Sequence, residues 1–331
     1  MHSKAAAGAA NYLTSRPHRS AARNVRAHAA VGDKQSLRAP RSENVEGNFF
    51  VDHTCIDCDT CRWMAPETFT REGNMSAVTH QPENPQQRIA AMQALLSCPT
   101  FSIHSQEPEK GELKQVQDSF PIPVAGAEGV YHCGFHDEKS FGGTSYFLVR
   151  PEGNVLIDSP RYNPALAKKL EEMGGVKWMF LTHKDDVGDH AKWAKKFNAT
   201  RLIHNTEVNQ QQGTIDCEVQ WEGEGPWTLD DGSTDLEFIL VPGHSSGSIC
   251  MFHSPSKTMF AGDHMGNSLR YPGKLSVFVG YSSDPKTQYE STRKLLDYDF
   301  LHVLPGHGRR VHFKDATERL KMITEAIEAG A

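Results

Sequence analysis

Several absences narrow the possibilities for this 331-residue chain before any motif is considered. No run of apolar residues approaches the roughly 20 that a bilayer-crossing helix requires, so a membrane span is not expected. A net charge of −6 gives no basic field for nucleic acid, and no Lys/Arg cluster stands out beyond the amino terminus. Seven cysteines are too few and too unevenly spread for a disulfide scaffold. Cys133, Cys217 and Cys250 stand singly and are expected as small buried apolar side chains in a reducing compartment. Residues 1–32 contain no Asp or Glu, yet carry Lys4, Arg16, Arg19, Arg23 and Arg26 among many Ala and Ser. That is the composition of an organelle transit peptide and is too polar for a secretory signal. Residues 1–46 are therefore expected to be a transit peptide and disordered lead, with a mature start near Val31. The expected destination is the chloroplast, with the mitochondrion as the alternative.

The cysteines that do cluster are more informative. Cys55, Cys58 and Cys61 crowd one loop as Cys-x2-Cys-x2-Cys, and a remote Cys98 precedes Pro99. Three thiolates from one tight loop can wrap one face of an iron-sulfur cubane, and the remote cysteine can close the fourth iron. A four-cysteine zinc site or a disulfide pair are the competing readings. Zinc knuckles, however, usually come as two Cys-x2-Cys pairs rather than three plus one. With all three loop cysteines present, one 4Fe-4S cluster is favoured over a three-iron one. Cys55 to Phe69 and Ser97 to Ile103 resemble the single-cluster bacterial-type ferredoxins, across roughly Asn48 to His104. The expected organisation is a small α+β ferredoxin-like domain at 47–106, a Pro-dotted linker at 107–126, and a second domain at 127–331. The length suffices for two cores.

In the second domain, polar residues punctuate strand ends in a fixed order. Tyr146–Val149 and Asn154–Asp158 read as a hairpin, and a helix follows with Asn163 as cap and Pro164 at its first position. Val176–Leu181 reads as a buried strand leading into His183, Asp185, Asp186, Asp189 and His190. Later come Pro242-Gly243-His244, Gly262-Asp263-His264 and Pro305-Gly306-His307-Gly308, each after an expected strand. Imidazole nitrogens and carboxylate oxygens on rigid strand ends can converge on divalent metal. The series is similar to the metallo-beta-lactamase superfamily, from about Gly129 onward. The resemblance implies an α/β fold, the αββα sandwich, with one or two divalent ions (Zn, Fe or Mn) at one edge.

By that likeness, His183, Asp185 and His244 would hold one ion and Asp189, His190 and His307 a second. Asp263 would bridge them, and Asp158 would orient the neighbouring loop. Asp189 and Asp263 would be the catalytic pair that holds or orients hydroxide. The family's His-x-His-x-Asp-His motif is altered here. Asp185 replaces the second His, and two extra residues precede Asp189-His190. An oxygen-rich first site leans toward iron or manganese, and resembles the flavodiiron branch. Asp186 is expected to be a bystander unless the insertion shifts the register and turns it to the metal. The segments 133–136 and 265–281, with Arg270, Tyr271 and Phe278, are expected to overhang the metal edge, and His132, His136 and His204 to be solvent or packing residues.

The leading functional expectation is a metal-dependent hydrolase, in which metal-activated hydroxide attacks an ester, thioester or phosphoester of a small molecule. A diiron oxidoreductase fed by the cluster, with a redox partner protein, is the second. A non-catalytic redox sensor is the third.

Overall fold

The computed structural model describes residues 34–267 and 273–330, of which those from Pro40 onward form one compact unit. The transit-peptide expectation, and Arg270 and Tyr271, fall outside the described residues. No helix among the described residues is long and apolar enough to cross a membrane.

The cysteine-rich part is built from short pieces. Strand β1 (Phe49–Val51) pairs antiparallel with β4 (Ile103–Ser105), while β2 (Phe69–Glu72) and β3 (Met75–Val78) form a hairpin. The helix Pro85–Ser97 starts where Asn84 accepts from the Gln87 N–H and Pro85 supplies a preset φ. It stops at Cys98, which turns extended ahead of Pro99. Ala91, Met92 and Ala94 of this helix pack with Phe49 and Phe69.

Two boundary expectations are corrected. Residues 40–46 are not a disordered lead. Pro40 bridges Asp52, and buried Arg41 reaches Ser76 and Glu72 carbonyls, so a polar segment is fixed by hydrogen bonds that its apolar content did not foreshadow. Nor is 107–126 a bare linker, since it holds the helix Glu112–Asp118 and strand β5 (Ile122–Pro123). Val116, Phe120 and Val124 are buried and Ile122 packs against the core, and their uneven spacing over a helix and a strand gives no single periodic signal.

A seven-stranded sheet follows in the order β11-β10-β9-β8-β7-β6-β5. Its further strands are β6 (Val130–His132), β7 (Tyr146–Leu148), β8 (Val155–Ile157), β9 (Trp178–Phe180), β10 (Thr200–His204) and β11 (Val219–Trp221). The antiparallel β5–β8 half gives way to a parallel β8–β11 half with crossover helices Pro164–Glu172 and His190–Phe197. A five-stranded sheet comprises β12 (Leu236–Leu240), β13 (Ile249–His253), β14 (Thr258–Gly262), β17 (His302–Pro305) and β18 (Val311–His312). The hairpin β15 (Met265–Asn267) and β16 (Leu275–Val277) stands apart.

Strand alternation assigns the layers. Tyr146, Leu148 and Phe180 meet Phe238, Leu240 and Phe260 between the sheets. Phe147 and Met179 face outward onto Leu166, Leu170 and Trp193, while Ile239 and Met259 face Ile323 and Ile327 of the helix Ala316–Glu328. Burying each such large side chain contributes about 1.5–3 kcal/mol. The result is the expected αββα sandwich. Its outer apolar cluster is continuous with Phe49, Phe69 and Met92 of the cysteine-rich part, so the two parts share one core.

Candidate metal centre and cluster pocket

The strand ends deliver their polar residues to one edge. Asp158 follows β8, His183 follows β9, His244 follows β12, Asp263 follows β14 and His307 follows β17. The Asp263 Oδ2 is the hub, lying 3.7 Å from His183 Nε2, 3.7 Å from His244 Nε2 and 3.9 Å from His307 Nε2. Asp185 Oδ2 adds 3.6 Å to His244 Nε2 and 4.0 Å to His183 Nε2, while Asp186 Oδ1 lies 3.5 Å from His307 Nε2. Two donor groups therefore stand side by side, His183–Asp185–His244 and His183–Asp186–Asp263, with His307 beside the second.

These donors fit a divalent ion. His183 Nε2, both Asp186 oxygens and Asp263 Oδ1 are buried without a hydrogen-bond partner, an arrangement that is costly unless a cation completes it. Four carboxylates, those of Asp158, Asp185, Asp186 and Asp263, crowd three imidazoles. Burial, then the neighbouring Asp186 charge, pushes the Asp158 carboxyl well above the usual range. Burial pulls the His307 imidazolium down, but the Asp263 and Asp186 carboxylates outweigh it and carry the pKa up to about 10. Metal–ligand bonds of about 2.0–2.2 Å would draw donors spaced as these are together by only a few tenths of an ångström.

Behind the edge, Asp158 accepts from the Thr182 N–H at 2.9 Å and its hydroxyl at 3.0 Å. The same hydroxyl lies 3.0 Å from His183 Nδ1, so Asp158 orients His183 through Thr182. Gly143 and Gly306 leave room for the acids. A Cβ at Gly143 would meet Asp186 Oδ1 at 2.6 Å, and one at Gly306 would meet Asp186 Oδ2 at 2.7 Å.

Asp189 and His190 are not brought to this group. The Asp189 carboxylate takes Lys139 Nζ at 2.6 Å, Lys192 Nζ at 3.1 Å and the Tyr162 N–H at 2.9 Å. His190 Nε2 bonds the Gln212 carbonyl at 3.0 Å, and its Nδ1 faces Arg201. The physical reason is the bend at Thr182–Gly188, which ends before the helix His190–Phe197 and spends the two extra residues turning Asp186 inward. Asp186 is 1% exposed and Asp185 44% exposed, so Asp186, expected as a bystander, is the more deeply placed. Segment 133–136 does not overhang the edge either. Cys133, Phe135 and His136 are buried, with His136 Nε2 2.9 Å from His132 Nε2. His204 is buried against Thr206 and Gly223, and His264 against Thr292. Phe278 lies beside Gly266 and Gly308.

The four expected sulfur ligands do converge. Cys55, Cys58, Cys61 and Cys98 line one cavity together with Val51 and Ile103. Asp57 and Asp59 adopt positive φ of 60° and 67°, a conformation that Asp tolerates, and these kinks curl the loop. Arg62 clamps both side chains at 2.6 Å. Ser76 N–H points at Cys55 Sγ at 3.4 Å and Ser102 N–H at Cys98 Sγ at 3.2 Å, as thiolates require. Burial raises the Cys58 thiol to about 12 and holds the Cys61 thiol well above its ordinary value, so thiolates there need iron charge to offset them. The donor set fits a cluster.

A sandwich with His/Asp donors at one edge, joined to a single-cluster iron-sulfur module, defines the class. Residues 140–307, just over half the chain, match the metallo-beta-lactamase superfamily, and residues 51–105 match the 4Fe-4S single cluster domain of Ferredoxin I. The chain belongs to the metallo-beta-lactamase superfamily and carries an amino-terminal 4Fe-4S domain of that ferredoxin type. It is 24% identical over 132 residues to a probable metallo-hydrolase, YybB, of Bacillus subtilis (strain 168), covering 36% of this chain and 60% of that one. It is 30% identical over 144 residues to a hydroxyacylglutathione hydrolase of Enterobacter sp. (strain 638), covering 43% and 51%. The chain thus spans between half and two thirds of the length of these curated relatives. Among solved structures, the DIM-1 metallo-beta-lactamase is 17% identical with a TM-score of 0.47, over 62% of this chain and 95% of that one.

Proposed function

We infer that the protein is a metal-dependent hydrolase acting on a small ester, thioester or phosphoester, with one 4Fe-4S cluster built in beside the metal site. The observation that carries this reading is the buried donor set gathered on Asp263 Oδ2, with its unpartnered His183 and Asp186 atoms. Bound divalent ions (zinc, iron or manganese) lower the pKa of water toward neutrality and polarise the oxygen of the substrate. His183, Asp185 and His244 would hold one ion and Asp186 and His307 another, with Asp263 near all three imidazoles. Asp189, held by two lysines, positions the Tyr162 turn. The Enterobacter relative is a hydrolase of hydroxyacylglutathione, so acylated thiols are the first substrates to assay.

The test is metal analysis of anaerobically prepared protein, followed by hydrolysis assays on thioester, ester and phosphoester panels. Zinc or manganese beyond the cluster's iron, together with turnover abolished by Asp263→Asn, supports the reading. Protein that holds no ion outside the cluster refutes it. One specific observation favours a second reading, electron supply from the cluster to iron at the same site. A single glycine pair touches both Cys58 and Asp186. Iron amounting to two atoms beyond the cluster's four, with oxygen or nitric oxide consumption, would favour that reading and a redox partner protein. For location, the acid-free residues 1–32 support import into the chloroplast, with the mitochondrion as alternative. A fluorescent fusion that stays cytosolic in a plastid-bearing cell counts against it.

A further inference from the structure

The cluster pocket and the metal edge are separated by one strap of backbone. A Cβ at Gly142 would lie 2.9 Å from Cys58 Cβ, 3.2 Å from Pro99 Cγ and 3.3 Å from Cys58 Sγ. The next residue, Gly143, faces the opposite centre, where its Cβ would strike Asp186 Oδ1 at 2.6 Å. Neither position has room for a side chain, and Gly142 also has a φ of +86° that favours glycine. Thr144 then donates its N–H to the Gly306 carbonyl at 2.7 Å, tying the strap to the loop that carries His307.

A second connection joins the same two places independently. Arg309, two residues beyond His307, grips Asp59 at 2.8 and 3.1 Å, and Asp59 lies between Cys58 and Cys61. Arg310 stacks over Trp63 at 4.9 Å, two residues past Cys61. The His307 loop is thus bolted to the cysteine loop by adjacent arginines.

Gly142 and Gly143 also fix how far apart the two groups can be. The contacts of 3.3 and 2.6 Å, one Cα–Cα step of about 3.8 Å and two Cα–Cβ bonds of about 1.5 Å bound the Cys58 Sγ to Asp186 Oδ1 separation at about 13 Å. At an effective dielectric of about 20, a unit charge placed that far away changes the binding of a positive charge by roughly tenfold.

We propose that Gly142 and Gly143 are positioning residues that seat Cys58 and Asp186 against opposite faces of one strap, so that the charge of the cluster and cation binding at the metal edge are linked. This rests on the metal-site reading above. Adding one electron from an external donor makes the cluster one unit more negative, with no bond formed or broken, and the edge then holds a divalent cation more tightly. Linkage is reciprocal, so a bound cation makes the cluster easier to reduce.

The experiment uses the full chain with its cluster intact, in three forms: free of added metal, loaded with Zn2+, and loaded with Mn2+. Metal content is measured first, and the cluster is then titrated with dithionite while its EPR signal is followed. Zn2+, which carries two charges, is expected to raise the reduction potential by about 110 mV, twice the tenfold effect of a unit charge expressed for a one-electron couple. Mn2+ is expected to shorten the relaxation of the reduced-cluster signal, which Zn2+ does not do. Gly143→Ala is expected to keep the iron and visible spectrum of the cluster, bind Zn2+ at least tenfold more weakly and lose the potential shift. If that variant fails to fold, the Zn2+ and Mn2+ comparison on the natural chain still decides. Zn2+ bound stoichiometrically with neither a potential shift nor a relaxation effect overturns the linkage alone. Failure to bind Zn2+ or Mn2+ at all overturns the linkage and the metal-site reading together.

Discussion

Asp186→Asn tests the construction of the metal edge most directly. The substitution keeps the shape of the side chain and removes one charge from a group that is 1% exposed, 3.5 Å from His307 Nε2, with neither oxygen hydrogen-bonded. Removing one partner of a buried charged contact costs about 3–5 kcal/mol, which predicts metal affinity at least a hundredfold weaker. The consequence for stability follows from mass action. With free Zn2+ at about a thousand times the natural dissociation constant, the natural protein gains about 4 kcal/mol. A variant binding a hundredfold more weakly gains about 1.4 kcal/mol under the same conditions. The deficit of about 2.7 kcal/mol corresponds to about 5–10 °C less metal-induced rise in melting temperature, at 2–4 °C per kcal/mol. Chelator competition gives the affinity, and thermal unfolding with and without Zn2+ gives the gain. Asp189→Asn serves as the control and should leave both quantities within about threefold and a degree or two. The reasoning is refuted if Asp186→Asn binds Zn2+ like the natural protein while Asp189→Asn does not.

Other expectations follow from the same geometry. Cys58→Ala should lose or degrade the cluster, read as loss of brown colour and of the four iron and four sulfide of a cubane. Arg150→Met should destabilise the fold by about 3–5 kcal/mol in denaturant unfolding, because it strands Asp231 and Asp235, which the guanidinium holds at 2.7 and 2.6 Å. His136 and His253 are each pulled down to about 4, chiefly by burial. The unfolded chain therefore binds more protons than the folded one between pH 6.5 and 4, so stability should fall as pH drops through that window and level off below it. His136 alone is worth about 3 kcal/mol there, and urea unfolding at pH 7, 5.5 and 4 measures the slope. A slope of opposite sign would mean that these imidazoles are protonated in the folded state.

The cluster ligands were legible from spacing because they are local. Three thiols within seven residues plus one before a proline constrain geometry without help from the rest of the fold. The sandwich was legible for a related reason, since short apolar strands such as Tyr146–Leu148 and Leu236–Leu240 are buried on both faces and end in turn and donor residues that stand in the order of the superfamily. His183, His244, Asp263 and His307 announced themselves by standing after strands. Asp186 did not, because whether a residue in a short bend points to a metal or to solvent depends on two extra residues whose path the sequence leaves open. Asp189 and His190 matched a motif in composition, but their neighbours, Lys139, Tyr162, Gln212 and Arg201, come from elsewhere in the chain and claim them first.

What the sequence determined by itself is the inventory: one iron-sulfur ligand set, one metallo-beta-lactamase sandwich and the strand-end donors. What only the tertiary structure decided is which donors meet and how the two centres lie against each other. The Gly142–Gly143 strap is the clearest case. Two adjacent glycines carry no chemistry and no periodic signal, and their meaning arises from Cys58, 84 residues earlier in the chain, and Asp186, 43 residues later. Contacts between such distant positions are set by packing of the shared core, which no local pattern encodes.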